Sequence, residues 1–452
     1  MYLSSLTFTL LAMPVLLLLF CCIPQKGKPV FLLLAGMLLT CWNGPAGILI
    51  PAVFVCFNYG IGLLLGKLSE KRRLCLAVLL AAVTTQAAAL TIIRQNRQDA
   101  AFIPIGIAIT TLLGIGYLIG IYRKKYPPER NFLHLALYLT FFPVMFAGPL
   151  LSYQEFSRQL KESRPNIRCL GDGLGLFVRG LAEKVMLADT LGYVFRELRQ
   201  TDPAGISMLT AWLTVMSFSM YLYFELLGYA DMARGLSRCF GLELPKNFGQ
   251  PFFSSSVTQF MENWNITHIL WFQTNFRHLL FGRAKHRWVK YASLVLMWML
   301  IGLWYKPSVQ FLLWGMLIGL ILAAELNFFK HIPDRNYAVG LVYTAISLQF
   351  SWVLFFADNM TQVLHFWRAM VGFGSGLIDK YGVYFLTSYI VLLLVCFYIA
   401  TDLFRNITER ISTTAVGRKI ASYMPLIDSV LLIFCLACML YTDAPAELWL
   451  QL

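Results

Sequence analysis

PKNFGQPFFSSSVTQFMENWNITHILWFQ (245–273) and GLWYKPSVQFLLWGMLIG (302–319) bound one stretch, Pro245–Gly319, in which a strongly apolar chain turns polar and then turns back. Asn, Gln, Ser, Thr, Glu, Trp and His crowd the first segment, and the second returns to membrane-like sequence. The hydrocarbon core of a bilayer holds no water, so polar groups at that depth are costly unless they line a cavity inside the protein. The stretch is therefore the first candidate for a functional site, and the chain around it reads as the scaffold that holds it.

Composition supports that frame. Of 452 residues, 58% are hydrophobic and 13% charged, against about 25% charged in soluble domains. The formal net charge of +14 invites a nucleic-acid partner, but the cations sit in short loops between apolar runs, as in KLSEKRR (67–73) and RKKYPPER (123–130). That is the positive-inside pattern, and no nucleic acid is expected. The ten cysteines are scattered and mostly intramembrane. Cys435 and Cys438 form a CxxC inside IFCLACML, where they read as small core residues and not as a redox or metal pair.

A spanning helix needs about 20 apolar residues. Runs of that kind occur at 3–23, 29–43, 48–66, 74–93, 101–121, 132–153, 174–196, 204–232, 288–304, 308–328, 337–357, 382–404 and 424–442. The 29–43 run is short and 174–196 is amphipathic, so the expectation is about eleven transmembrane helices in an all-α polytopic membrane protein. The 3–23 run lacks a basic n-region and an A-x-A-like site and reads as a retained span. Two spans separate the loops 67–73 and 123–130, so both lie on one side, taken as cytoplasmic, and the amino terminus is then outside. Polar inserts fall at 154–173, 245–287 and 405–423; Asn406-Ile407-Thr408 in the last matches a glycosylation sequon that a cytoplasmic loop makes irrelevant. No fixed-period repeat and no linker divide the chain, which is expected to be a single membrane domain over 1–452.

Several phrases occur in a telling order: YLTFFPVMFAGPLLSY (138–153), GLAEKVMLADTL (180–191), MYLYFELLGYADMARGLSRCFGLELPKNF (220–248), PFFSSSVTQFMENWNITHILWF (251–272) and GLWYKPSVQFLLWGMLIG (302–319). Together they resemble the membrane-bound O-acyltransferase (MBOAT) family, in its bacterial branch of alginate O-acetyltransferase and the D-alanyl transfer protein of lipoteichoic acid synthesis. The resemblance implies a ring of membrane helices, with re-entrant or short helices around a central tunnel in a bacterial cytoplasmic (inner) membrane. It divides the chain into amino-terminal spans (1–130), a motif-bearing core (131–328) and carboxy-terminal spans (329–452). It also implies an acyl group that arrives on a cytoplasmic thioester, of an acyl-carrier protein or coenzyme A, and leaves on an extracytoplasmic hydroxyl of a cell-envelope polymer or of a relay partner such as an extracytoplasmic acyltransferase. No bound cofactor is implied.

The chain departs from the branch where the chemistry should be. Trp-His-hydrophobic-Ser is here Trp264-Asn265-Ile266-Thr267, and Trp-Phe-Arg-Asp is Trp271-Phe272-Gln273-Thr274. Gly-Leu-Trp-His-Gly is Gly302-Leu303-Trp304-Tyr305-Lys306, and a further branch histidine is Ile318. The usual catalytic histidine position is thus Tyr305 and the second histidine position is Asn265. A phenol of pKa about 10 is protonated at neutral pH, so Tyr305 is a donor and not a base. Asn265 orients a hydroxyl or an oxyanion but takes no proton.

Other groups near the stretch have two readings each. His268, three residues after Asn265, shares its face if 257–272 is helical, and is either a relocated base or an interfacial or backbone-bonded histidine. Glu262 either lines the cavity or neutralises a basic neighbour. Glu225 and Asp231, mid-span in YFELLGYADM, mark either a functional pathway or a polar hub between helices, and Arg234 three residues beyond Asp231 favours a pair. The tunnel set is completed by Trp264, Trp304, Trp271 and Asn247. His134, His278, His286, His331 and His365 lie at span ends or in basic loops. No HExxH, paired CxxC or EF-hand spacing suggests a metal, and GIGLLLGK (60–67) lacks phosphate-loop spacing. Two functions follow: an acyltransferase with an altered site of Tyr305, Asn265 and His268, or a catalytically degenerate member acting as scaffold, conduit or regulatory partner. A solute transporter is disfavoured, since no inverted repeat is visible.

Overall fold

The computed structural model describes residues 3–42, 46–95, 106–145, 148–200, 205–277, 286–327, 336–401 and 414–441. The expectations for His278, His331, residues 96–105 and the sequon at Asn406 fall outside them. Among the described residues the regular structure is helical throughout. In chain order the helices are α1 (Phe8–Cys22), α2 (Lys28–Cys41), α3 (Ala46–Lys67), α4 (Arg72–Gln95), α5 (Ile107–Tyr122), α6 (Phe132–Leu139), α7 (Phe142–Met145), α8 (Tyr153–Glu162), α9 (Ile167–Ala182), α10 (Asp189–Arg199) and α11 (Met208–Cys239). They continue with α12 (Val257–Glu262), α13 (Ile266–Phe272), α14 (Arg287–Tyr305), α15 (Val309–Asn327), α16 (Tyr337–Phe356), α17 (Met360–Met370), α18 (Lys380–Ile399) and α19 (Ala415–Tyr441). Among the described residues, seven helices are long and apolar enough to cross a bilayer, within α3, α4, α14, α15, α16, α18 and α19. Shorter apolar helices cover Phe8–Cys22, Lys28–Cys41, Ile107–Tyr122 and Phe132–Met145.

One apolar run and one segment of the polar stretch are not single helices. The 132–153 run breaks after Leu139, because Thr140 leaves the helical region (φ −118°, ψ 21°), and resumes as the short α7, Phe142–Met145, with Pro143 in its first turn. The 257–272 segment breaks at Asn263–Asn265, where Asn265 adopts a left-handed backbone (φ 42°, ψ 51°) and begins α13. A left-handed residue cannot continue a right-handed helix, so α12 and α13 are two short pieces with a corner between them.

The residues group into two compact units, Met1–Leu181 with Tyr229–Lys246, and Ala182–Gly228 with Asn247–Leu452. In the first, a polar seam fixes α3 against α4: Asn58 donates to Gln86 Oε1 (3.0 Å) and to its own helix at Phe54 O (2.8 Å). Both side chains are buried and hydrogen-bonded, as intramembrane polar groups must be. Arg234 pairs with Asp231 at 2.6 Å, the one-turn pairing that the sequence suggests.

In the second unit α14 and α15 form a tight hairpin through Lys306–Ser308. A methyl group at Gly302 would overlap the carbonyl oxygen of Phe311, one at Gly315 that of Trp298, and one at Gly319 would lie 2.7 Å from Val295 Cα. Backbones this close need residues without side chains, as in small-residue packing elsewhere in membranes. The hairpin fixes Tyr305 as the last residue of α14. Helix α16 starts at Asn336, whose Oδ1 accepts from Ala338 N (3.2 Å) and Val339 N (3.4 Å), and α18 starts at Asp379 in the same manner. The outer surfaces of α18 and α19 are apolar, with Val391, Leu394, Ile433 and Phe434 exposed, as lipid-facing helices require.

Candidate functional site

The site in the second unit is built on Asn247, Asn265, Thr267 and Tyr305. Asn247 lies in the irregular segment before α12 and is anchored at both ends, since its carbonyl accepts from Ile266 N at 2.7 Å. Its side-chain Oδ1 accepts from Thr267 N (3.0 Å) and Thr267 Oγ1 (2.8 Å). Asn247 Nδ2 then donates to Asn265 Oδ1 (2.9 Å), and Asn265 Nδ2 donates to Tyr305 Oη (2.9 Å). The direction of this chain follows from chemistry alone. A backbone N–H only donates, so the Asn247 atom facing Thr267 N is its oxygen. The Asn247 nitrogen therefore faces Asn265, the Asn265 oxygen faces Asn247, and the Asn265 nitrogen is left for the tyrosine. Tyr305 accepts at its oxygen, and its own O–H is left to donate elsewhere. Donors aligned in series polarise one another and make the last O–H a better donor.

Aromatic rings wall this chain. Trp264 stacks on Phe260 (5.4 Å between centroids, 20° between planes) and meets Phe248 edge-on at 5.4 Å and Trp352 at 5.3 Å. The Tyr305 ring packs edge-on against Phe355 (5.4 Å) and Trp314 (5.9 Å). Asn247, Asn265 and Trp264 are buried. Trp271 lies farther along α13 and packs on Phe272 (5.0 Å), and Trp304 is half-buried beside Tyr305 in sequence.

His268 is in the first turn of α13, and its backbone N–H donates to the Asn265 carbonyl at 3.1 Å. Its Nδ1 is buried and has no hydrogen-bond partner among the described residues. Such an atom is rare in folded proteins and is either an acceptor awaiting a ligand or a cost left standing. Glu262 ends α12 and is exposed. Glu225 is completely buried (0% exposed) on α11, 3.5 Å from Nζ of Lys184, which is itself 2% exposed and bonded to Asp189. Lys184 sits in a π-helical turn, Glu183–Ala188, between α9 and α10. Glu225 thus belongs to a buried Asp189–Lys184–Glu225 cluster.

Sequence reading did not single out Lys184 or Glu325. The Glu325 carboxylate on α15 is buried and accepts from Val257 N (2.8 Å), Thr258 N (2.8 Å) and Thr258 Oγ1 (2.6 Å). It caps the amino terminus of α12 from a neighbouring helix, where a negative charge meets unpaired N–H groups. The signal was present, a lone carboxylate in the apolar run LLWGMLIGLILAAEL. Among the described residues, no three His, Cys, Asp or Glu side chains gather to hold a metal ion.

Comparison with known proteins is decided by the core. Residues 127–367, just over half of the chain, match the membrane-bound O-acyltransferase family. The chain belongs to the MBOAT family. Its relatives include a probable alginate O-acetylase of Pseudomonas fluorescens, 29% identical over 384 residues that cover 83% of this chain and 76% of the relative. A peptidoglycan O-acetyltransferase of Helicobacter pylori is 28% identical over 60% of this chain and 57% of its own. A teichoic acid D-alanyltransferase of Bacillus subtilis is 26% identical over 56% of this chain and 67% of its own. The MBOAT resemblance and the all-helical membrane fold drawn from the sequence are both borne out. The match region contains the whole hydrogen-bonded chain from Asn247 to Tyr305.

Proposed function

We propose that this MBOAT protein is an acyltransferase of the bacterial inner membrane, with its amino terminus outside. It takes an acyl group from a cytoplasmic thioester, on an acyl-carrier protein or coenzyme A, and delivers it to an extracytoplasmic hydroxyl. Three relatives named for alginate, peptidoglycan and teichoic acid support a cell-envelope polymer, or a relay partner bound for one, as acceptor.

The observation that carries this reading is the one-way hydrogen-bond chain that ends on Tyr305. In acyl transfer the acceptor oxygen attacks the thioester carbonyl carbon, and negative charge develops on the carbonyl oxygen. Tyr305 O–H, backed by Asn265, donates to that oxygen, the role of an oxyanion-hole donor. His268 Nδ1 takes the proton from the attacking hydroxyl as the new C–O bond forms. When the intermediate collapses, the C–S bond breaks and the leaving thiolate takes the proton from His268. Trp264, Trp271, Trp304 and Asn247 wall and order the tunnel.

The degenerate-scaffold reading draws support from the same place, because neither Tyr305 nor Asn265 can accept a proton at neutral pH. Purified protein in liposomes, supplied with an acyl thioester on one face and an acceptor on the other, separates the two. Acceptor-dependent thiol release that falls in Tyr305→Phe supports the enzyme. Neither transfer nor thioester hydrolysis, with a copurifying partner protein, replaces it with the scaffold.

A further inference from the structure

The second unit holds an open cavity of about 350 Å³ lined in part by Phe355, the ring that supports Tyr305. Its apolar floor includes Phe311 and Phe355, whose rings lie 4.5 Å apart. Its charged lining is three cations, Arg196, Arg199 and Lys306, and one carboxylate, Asp358. Arg199 is already committed, with its Nη2 2.5 Å from Asp358 Oδ1. The side chains of Arg196 and Lys306 make no hydrogen bond or ion pair among the described residues; the Asp189 carboxylate interacts with Arg196 through charge alone and is itself bonded to Lys184. Two uncommitted cations, one a planar guanidinium, therefore face a cavity floored by aromatic rings. Lys306 directly follows Tyr305, and Phe355 packs against the Tyr305 ring at 5.4 Å.

We infer that this cavity is a binding subsite for an acidic acceptor, in which Arg196 and Lys306 hold a carboxylate or phosphate group of the glycan or polyol that receives the acyl group. The inference rests on the acyltransfer reading for its biological meaning, but the binding itself does not need turnover. Guanidinium and ammonium donors recognise carboxylate and phosphate through charge-assisted hydrogen bonds, and the aromatic floor suits a sugar ring. A volume near the lower end of ligand sites fits one or two sugar-sized units and not the whole of coenzyme A. The single pair Arg199–Asp358 fixes the rim and leaves a net positive pocket.

The test uses the full chain in phosphatidylcholine nanodiscs with no acyl donor. Fluorescent oligomannuronate and oligomeric glycerol phosphate are the acidic probes, maltohexaose is the neutral control, and coenzyme A and phosphatidylglycerol are competitors. At least one acidic probe is expected to bind, and to weaken as salt is raised, while maltohexaose does not. Arg196→Gln with Lys306→Gln is expected to weaken binding at least tenfold, and Arg196→Lys with Lys306→Arg to restore most of it. Lys306→Gln alone, at an exposed turn, gives a smaller loss and serves if the double variant does not fold. Equal binding of maltohexaose, unchanged binding in the glutamine variants, or displacement by coenzyme A or phosphatidylglycerol in preference to acidic oligomers would overturn the inference. Failure of acyl transfer with binding intact would instead count against the enzyme reading alone.

Discussion

Asn265 donates to Tyr305 and does not accept from it: Nδ2 lies 2.9 Å from Oη, and the amide is oriented by Asn247 and, behind that, by the Thr267 N–H. The tyrosine is therefore a supported donor. Tyr305→Phe keeps the ring against Phe355 and Trp314 and deletes only the hydroxyl. The expected result is a fall in kcat of about 10²–10³, the usual loss for one oxyanion donor, with thermal stability changed by less than about 1.5 kcal/mol. Initial rates of thiol release from a defined acyl thioester, beside a melting curve, check both halves.

Asn265→Asp tests the direction of the chain. Aspartate tolerates the left-handed backbone at φ 42°. It still accepts from Asn247 but has no donor for Tyr305, so the phenol turns its proton toward the carboxylate. A folded protein with kcat reduced about as far as in Tyr305→Phe is expected. A rise in activity would show that the site lacks a base and that the donor is secondary.

The Asp189–Lys184–Glu225 cluster should be a strong determinant of stability. Removing one partner of a buried ion pair leaves an uncompensated charge and costs about 3–5 kcal/mol. Lys184→Met is expected to lower the melting temperature sharply and reduce the yield of folded protein. Lys184→Met with Glu225→Gln should recover part of the loss, since the stranded carboxylate 3.5 Å away is gone. No recovery in the double variant would mean that Lys184 acts mainly through Asp189.

Gly302→Ala places a methyl group on the Phe311 carbonyl oxygen in the α14–α15 hairpin. Overpacking of this kind costs about 1–3 kcal/mol and shifts the backbone. Because Tyr305 follows three residues later, the variant is expected to lose activity more than stability. Measuring both in one preparation distinguishes displacement of the donor from plain unfolding.

Asp379 at the start of α18 supplies a pH-dependent term. Burial raises its carboxyl pKa, but hydrogen bonds from Gly382 N–H, Ser207 and Thr210 outweigh burial and hold it below its ordinary value. A depressed folded value means that the stabilisation is full above the unfolded pKa of about 3.9 and is lost as pH falls through the lower folded value. The group is partly exposed and screened, so its worth is that of a helix cap, about 1 kcal/mol. Asp379→Ala should melt lower than the parent at pH 6–7, and the gap should close as pH drops below about 4. A gap constant down to pH 3 would contradict the assignment.

Much of the scaffold is legible in the sequence because span formation is a local sum of hydropathy. The runs 288–304, 308–328 and 337–357 correspond to α14 (Arg287–Tyr305), α15 (Val309–Asn327) and α16 (Tyr337–Phe356) within a few residues. The breaks are less legible. Nothing in the hydropathy of 132–153 or 257–272 marks Thr140 or Asn265, where backbone angles and not composition end the helix. Polar partners are least legible, because pairs such as Lys184–Glu225 and Thr258–Glu325 join residues far apart in the chain. Family likeness placed Asn265 and Tyr305 in one site, but only geometry gives their hydrogen bond and its direction.

The left-handed residue at 265 has one more consequence. Asparagine, aspartate and histidine are the side-chain-bearing residues that most readily accept that conformation. The resemblance implies histidine here and this chain carries asparagine, and both are residue types that the left-handed corner between α12 and α13 admits. Exchanging a titratable imidazole for a neutral amide at this place changes the side chain and not the backbone conformation that it needs. The chain can therefore alter the chemical character of its tunnel while leaving its architecture untouched, and Asn265→His should fold as the parent does.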